Sequence, residues 1–116
     1  MKIATILFSL TAIAQPIACN LNALTADERK EHAALSRRVA AAFREPSATA
    51  DGWALSVPVE LLPDLAKWID SERKCCPFLR FSVVVEPGGT AARLTLSGRE
   101  GVKEFLAEQF KLSRNP

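Results

Sequence analysis

The chain has 116 residues and a formal net charge of +2, with 48% hydrophobic and 24% charged residues. This length allows one domain with a modest core, and the composition is that of a globular protein rather than a disordered one. The charge is small, and no run of Lys and Arg or interleaving of aromatic with basic residues occurs. These features exclude the electrostatic surface on which nucleic-acid binding depends, so we expect no nucleic-acid partner.

The N-terminus has the three-part pattern of a secretory signal peptide. Met1-Lys2 gives a positive start, Ile3 to Ala14 is uncharged and apolar, and Ala12-Ile13-Ala14 places small residues where signal peptidase reads them. We predict a signal peptide over residues 1–14, followed by a single α+β domain over residues 15–116. The protein would then be periplasmic or secreted, with no stable membrane span after cleavage, because the apolar run is short for a bilayer. A misassigned start codon in a cytoplasmic protein, or a buried N-terminal helix, is the alternative.

The first helix is predicted from Leu24 to Phe43, where apolar residues recur at helical spacing. Thr25 and Glu28 have the spacing of a capping box, in which each side chain satisfies a free amide of the first turn. Pro46 is expected to end this helix, and the segment from Ser47 to Gly52 is expected to be a loop.

Alternating and helical patterns predict the remaining elements. A short strand covers Trp53 to Val57, and a second helix runs from about Pro63 to Lys74. Phe78 to Glu86 and Ala92 to Leu96 alternate on either side of Pro87-Gly88-Gly89, which is typical of an antiparallel hairpin. A last helix follows. Ser97 and Glu100 form a second capping-box pair that predicts its start. Its apolar stripe consists of Val102, Phe105, Leu106 and Phe110.

The predicted order is therefore α-β-α-β-β-α, a small two-layer sandwich with a three-stranded, mainly antiparallel sheet packed on helices. Strands with one apolar face need helices over that face. A right-handed crossover is the default connection from the first strand to the second. The opposite face of the sheet is expected to be exposed to solvent or to contact a partner, because it carries polar residues (Arg80, Ser82, Arg93 and Thr95).

Two adjacent cysteines, Cys75 and Cys76, follow the second helix directly. Projected at 100° per residue, Leu65, Glu72 and Cys76 fall close to one line, so the apolar stripe of the helix runs into a carboxylate and a thiol. Burying an unpaired carboxylate is costly. Glu72 therefore needs a partner, a raised pKa or a frayed last turn. The alternative is a half-exposed Glu72 beside a cysteine that only fills space.

Several kinds of thiol chemistry are disfavoured at this position. A nucleophilic cysteine needs cations or a helix N-terminus to form the thiolate, whereas these cysteines lie at a predicted helix C-terminus. His32 is the sole histidine that could serve as a base. The CxxC spacing of thioredoxin-type sites is absent from Cys75 and Cys76.

A soft metal ion is the ligand that three cysteines favour. Cys19, Cys75 and Cys76 could converge as thiolates, with His32 as a possible fourth ligand and Glu72 beside them. Because His32 lies at the edge of the apolar stripe of the first helix, three residues before Leu35, a half-buried structural histidine is its favoured role. Sulfur selects ions such as Cu(I), Zn(II) and Hg(II) over hard cations. A closed structural zinc site usually takes two spaced ligand pairs, which this sequence lacks. The leading hypothesis is therefore a thiol protein that binds a soft ion.

Two alternatives remain open. Cys19 could form a disulfide with Cys75 or Cys76, in a structural or interaction domain without an active site; closing that loop would stabilise the fold by about 4 kcal/mol. A thiol-dependent enzyme would instead use Cys76 with Glu72 as proton handler.

The doubled-cysteine segment, Glu72-Arg73-x-Cys75-Cys76-Pro77-Phe78, resembles the core motif of a family of small, uncharacterised bacterial proteins. The likeness extends to Cys19-Asn20-Leu21, the helix start from Thr25 to His32 and Gly98-x-x-Gly101-x-x-x-Phe105-Leu106, and it covers Pro16 to Phe110. It implies a shared fold and shared cysteines but no particular reaction. Members of that family mostly lack an obvious signal peptide, and this chain departs from them there.

Overall fold

The computed structural model describes residues 16–113, so the predicted signal peptide lies outside the described residues. Within them the chain forms three α-helices and four β-strands, with short 3-10 turns before α1 and before α2. In chain order the elements are α1 (Ala26–Ala41), β1 (Arg44–Ala48), β2 (Gly52–Pro58), α2 (Leu62–Cys75), β3 (Arg80–Val85), β4 (Ala91–Ser97) and α3 (Val102–Gln109).

The sheet has four antiparallel strands in the order β1-β2-β4-β3, which confirms the α+β class and corrects the predicted three strands. The additional strand, β1, lies where the sequence predicted the end of a helix and a loop. Helix α1 already ends at Ala41, and Pro46 lies inside β1 rather than ending a helix. Proline has no amide to donate, so it is tolerated in an edge strand such as this one. The element order is thus α-β-β-α-β-β-α.

Helix α2 connects two strands that do not pair with each other. Strands β2 and β3 each pair antiparallel with β4, which lies between them, so β2 and β3 run parallel. The β3–β4 hairpin agrees with the prediction, including the turn at Pro87-Gly88-Gly89. This topology places the end of α2, and with it the doubled cysteine, at the start of β3.

The helices pack on one face of the sheet. Trp53, Leu55 and Val57 of β2 are buried against Trp68 of α2 and against residues of α1 and α3 in one core cluster. Trp68 is fully buried, with the ring of Phe81 edge-on at 6.2 Å. The opposite face carries the polar residues that the alternation predicted there: Arg80, Ser82 and Arg93 are exposed, and Thr95 is partly buried.

The start of α3 differs from its prediction. Ser97 belongs to β4 and is buried, and the residue that caps α3 is Gly101, whose side chain cannot accept a hydrogen bond. Gly101 has a φ of 98°, a left-handed conformation that glycine adopts without steric cost. The chain therefore turns into α3 through backbone geometry rather than through a capping box.

The capping box at α1 is present as predicted. The Glu28 amide donates to Thr25 Oγ1 at 3.1 Å, and the Thr25 amide donates to Glu28 Oε1 at 2.8 Å. Thr25→Ala is expected to lower the free energy of unfolding by about 1 kcal/mol, because the first turn loses a hydrogen-bond acceptor. Chemical denaturation measures this loss. Thr25→Ser is the control, since serine caps as well as threonine; an equal loss in both variants would contradict a capping role.

Candidate metal centre

The N-terminal segment before α1 crosses the C-terminal end of α2. The Asn20 amide donates to the Cys75 carbonyl oxygen at 2.7 Å, and Leu24 is buried against Cys75 and Cys76. Arg29 secures the end of the segment by donating from Nη1 to the Leu24 carbonyl oxygen at 2.8 Å. These contacts bring Cys19 next to residues more than fifty positions later in the chain.

Cys19 and Cys76 form a disulfide whose Cα atoms are 4.6 Å apart, and Cys75 is a free, buried thiol. The sequence allowed either cysteine of the doubled pair to bond Cys19. The bond is made by Cys76, the C-cap residue of α2, whose amide donates back to the Glu72 carbonyl oxygen at 2.6 Å. Cys75 Sγ lies 3.6 Å from Cys76 Sγ, so the three sulfur atoms are neighbours.

Glu72 lies one helical turn before the cysteines, and its side chain is buried with them. Its Oε2 atom is 2.9 Å from Cys76 Sγ and 3.8 Å from Cys75 Sγ. Its other oxygen, Oε1, is 3.6 Å from His32 Nε2. The expected alignment of Glu72 with Cys76 is therefore present, and the carboxylate is buried and partnered rather than frayed into solvent.

Burial raises the pKa of Glu72 to about 7. The carboxyl group is thus close to half protonated at neutral pH. A sulfur atom in a disulfide has no hydrogen to donate, so the short contact with Cys76 is a hydrogen bond when the protonated carboxyl donates to sulfur. The environment of Glu72 therefore makes its neutral form far more populated at neutral pH than that of an exposed glutamate.

Burial, and next the neighbouring Glu72 charge, raise the pKa of the Cys75 thiol to about 11. This agrees with the expectation that thiolate formation is disfavoured at this position, and desolvation is the main cause. A thiol reacts as its thiolate, so Cys75 is a weak nucleophile at neutral pH. Cys76, the cysteine of the enzyme hypothesis, has no free thiol while it is bonded to Cys19.

His32 is buried in α1 and faces Glu72. Its pKa is lowered by burial, so the neutral imidazole is favoured. Ser36 Oγ lies 3.4 Å from His32 Nε2 and accepts a hydrogen bond from Trp68 Nε1 at 3.1 Å. A polar chain thus runs from the core tryptophan to Glu72. Ser36 and Trp68 were not predicted to lie here, although Ser36 follows His32 by one helical turn.

Four of the residues singled out from the sequence converge. One ligand atom from each lies within 4.8 Å of the others: the sulfurs of Cys19, Cys75 and Cys76 and a carboxylate oxygen of Glu72. His32 does not belong to this group: it contacts Oε1 of Glu72, whereas the sulfurs of Cys75 and Cys76 contact Oε2. As a metal ligand His32 stays a prediction, and Glu72 is the nearer fourth donor.

A small cavity of about 220 Å³ opens beside the cluster. Its wall contains the polar residues Lys74 and Asn20 beside Cys75. The remaining lining residues are apolar: Pro16, Ala18, Pro77 and Phe78. The cavity therefore borders the buried Cys75, while Cys76 and Glu72 do not line it.

No family model matches the chain, and neither does any curated protein or solved structure. The resemblance to small bacterial proteins with the doubled-cysteine motif therefore stays a prediction. Among the described residues, no helix is both long enough and apolar enough to cross a lipid bilayer.

Proposed function

We propose that the protein binds one soft metal ion once the Cys19–Cys76 disulfide is reduced, through the thiolates of Cys19, Cys75 and Cys76. The observation that supports this best is the convergence of three sulfurs and the Glu72 carboxylate within 4.8 Å. Glu72 would supply the fourth donor. The chain's own residues thus offer a sulfur-rich site on one end of α2.

Distances in the cluster suit such an ion. Zinc bound by tetrahedral thiolates at about 2.3 Å needs sulfur atoms about 3.8 Å apart. Cys75 Sγ lies 3.6 Å from Cys76 Sγ and 3.8 Å from Glu72 Oε2. After reduction, the sulfurs of Cys19 and Cys76 need to move apart to about this same distance, and Cys76 Sγ needs to move away from Glu72 Oε2, which lies 2.9 Å from it.

Charge and burial favour the softest ions. Three thiolates and a carboxylate in a buried site need a cation close by, since buried charges are costly without a partner. The raised pKa of Cys75 means that the ion must displace a firmly held proton. Ions with the strongest preference for thiolate, such as Cu(I), Hg(II) and Zn(II), meet this requirement, whereas Mg(II) and Ca(II) do not.

The disulfide makes oxidation and metal binding mutually exclusive in this proposal, because bonded sulfurs cannot act as thiolates. Export to an oxidising compartment, the prediction made from residues 1–14, would favour the disulfide form. A reducing environment, or a reductant at the site, would favour the metal-binding form.

Titration of the mature chain with Zn(II), Cu(I) and Hg(II) tests the proposal. The reduced protein is expected to bind one ion per chain, and the oxidised protein to bind none at the same concentrations. Cys75→Ser/Cys76→Ser is expected to abolish the binding. Glu72→Gln should weaken it, and Glu31→Gln is the matched control, because Glu31 is an exposed residue of α1. Unchanged affinity in the double cysteine variant would end the metal proposal.

A structural or interaction domain without an active site is the second candidate, and the disulfide itself favours it. A count of free thiols, by alkylation of the chain unfolded in denaturant followed by intact mass, separates the two candidates. One reactive thiol per chain after purification without reductant, together with no metal binding after reduction, would support the structural role. A bound ion in the folded protein, with three thiols that alkylate after the ion is removed, would support the metal centre.

A further inference from the structure

The two edges of the sheet differ in how well they are protected from pairing. Strand β1 carries Pro46, which has no amide to donate, and its register with β2 is irregular between Arg44 and Ser47. Glu45 adds a positive φ of 51°. Irregular geometry, proline and charge are the features by which natural sheets block pairing at an edge.

The other edge, β3, has none of these features between its ends. Residues 81–85 contain no charge and no proline, and they pair with β4 in regular register. Val83, Val84 and Val85 are 38%, 47% and 44% exposed. Val83 and Val85 are opposite Leu94 and Ala92, hence on the helix-covered face, yet both are partly open to solvent.

Apolar surface therefore continues around the β3 edge from one face of the sheet to the other. Val84 alternates with its neighbours and lies on the polar face, opposite Arg93. A regular, exposed strand of β-branched residues is a template for the addition of another strand. The charges at its two ends indicate which strand fits.

We propose that β3 pairs antiparallel with β3 of a second copy of this chain, around a two-fold axis at Val83. In this register Val83 lies opposite the partner's Val83, and Arg80 lies opposite the partner's Glu86. Both side chains are exposed, and within residues 16–113 neither forms an ion pair in its own chain. The two-fold axis produces this Arg–Glu pair twice and joins the sheets of both copies.

Charge complementarity favours this arrangement over parallel pairing. In a parallel, in-register pair, each Arg80 would face the partner's Arg80, and like charges directly opposite are destabilising. Antiparallel pairing also places Phe81 opposite the partner's Val85 on the same face. An isologous two-fold contact closes on itself, so it yields a dimer rather than a fibre.

Sedimentation velocity across a concentration series tests the proposal. The wild-type protein is expected to show a monomer–dimer equilibrium with twice the monomer mass at high concentration. Val83→Lys places two lysines face to face at the axis and is expected to abolish the dimer. Leu21→Lys is the matched control, because Leu21 is 49% exposed but precedes α1 and lies outside the sheet. Far-UV circular dichroism checks that each variant is folded.

Charge reversal tests the register. Arg80→Glu and Glu86→Arg are each expected to weaken dimerisation about tenfold, because two attractive pairs become repulsive. An equimolar mixture of the two variants should dimerise again, since every pair across the mixed interface is then Arg with Glu. A monomeric wild-type protein would overturn the proposal, and so would a dimer that Val83→Lys leaves intact. Failure of the mixture to associate would overturn the antiparallel register. None of these three results bears on metal binding by the cysteines.

Discussion

Reduction of the Cys19–Cys76 disulfide is expected to lower the free energy of unfolding by about 4 kcal/mol. The bond joins residues 57 positions apart. Closing a loop of that length lowers the conformational entropy of the unfolded chain, which raises its free energy by about 4 kcal/mol. The loss corresponds to a change of about a thousandfold in the ratio of folded to unfolded protein. Urea denaturation of the oxidised and reduced protein, without metal, measures it.

The control is the same oxidised-minus-reduced difference in two variants. Cys75→Ala keeps the disulfide, so it should retain a difference of about 4 kcal/mol even if the lost thiol lowers the stability of both forms. Cys19→Ser cannot form the bond and should show almost no difference. A difference in Cys19→Ser as large as that of the wild type would show that the stabilisation does not come from this disulfide.

Between pH 4.5 and pH 7, the metal-free, oxidised protein is expected to lose stability through Glu72 as the pH rises. Burial raises the pKa of Glu72 from 4.5 to about 7, so the folded state binds this proton more tightly than the unfolded state. The stabilisation by the neutral carboxyl is complete below pH 4.5 and is lost as the pH rises through about 7. The difference of about 2.5 pH units corresponds to about 3 kcal/mol.

Comparison with Glu72→Gln isolates this effect, because glutamine keeps the shape of the side chain without titrating. The free energy of unfolding of the wild type should fall relative to that of Glu72→Gln across this pH range. His32, whose pKa burial lowers, acts in the opposite direction and is present in both proteins. A repeat in a His32→Gln background removes its contribution. Parallel pH curves for the wild type and Glu72→Gln would contradict a raised pKa at Glu72.

Local patterns in the sequence predicted the elements that depend on near neighbours. The capping box of Thr25 and Glu28 formed as predicted, since its two partners are three residues apart on one turn. The β3–β4 hairpin also agrees, because alternating strands and a Pro-Gly-Gly turn specify it locally. Strand β1 was missed, because Pro46 and its polar neighbours form a strand only where β2 is available to pair with them.

The sequence by itself determined that Glu72 lies beside Cys76. Helical spacing places Glu72 one turn before Cys76, and this spacing does not depend on contacts with the rest of the chain. Only the tertiary structure decided which cysteine bonds Cys19 and that His32 contacts the carboxylate oxygen of Glu72 that the sulfurs do not. Those choices depend on how the segment before α1 crosses the end of α2 and on how α1 packs against α2. Contacts between residues far apart in the chain arise from packing of the whole fold, and no local pattern encodes them.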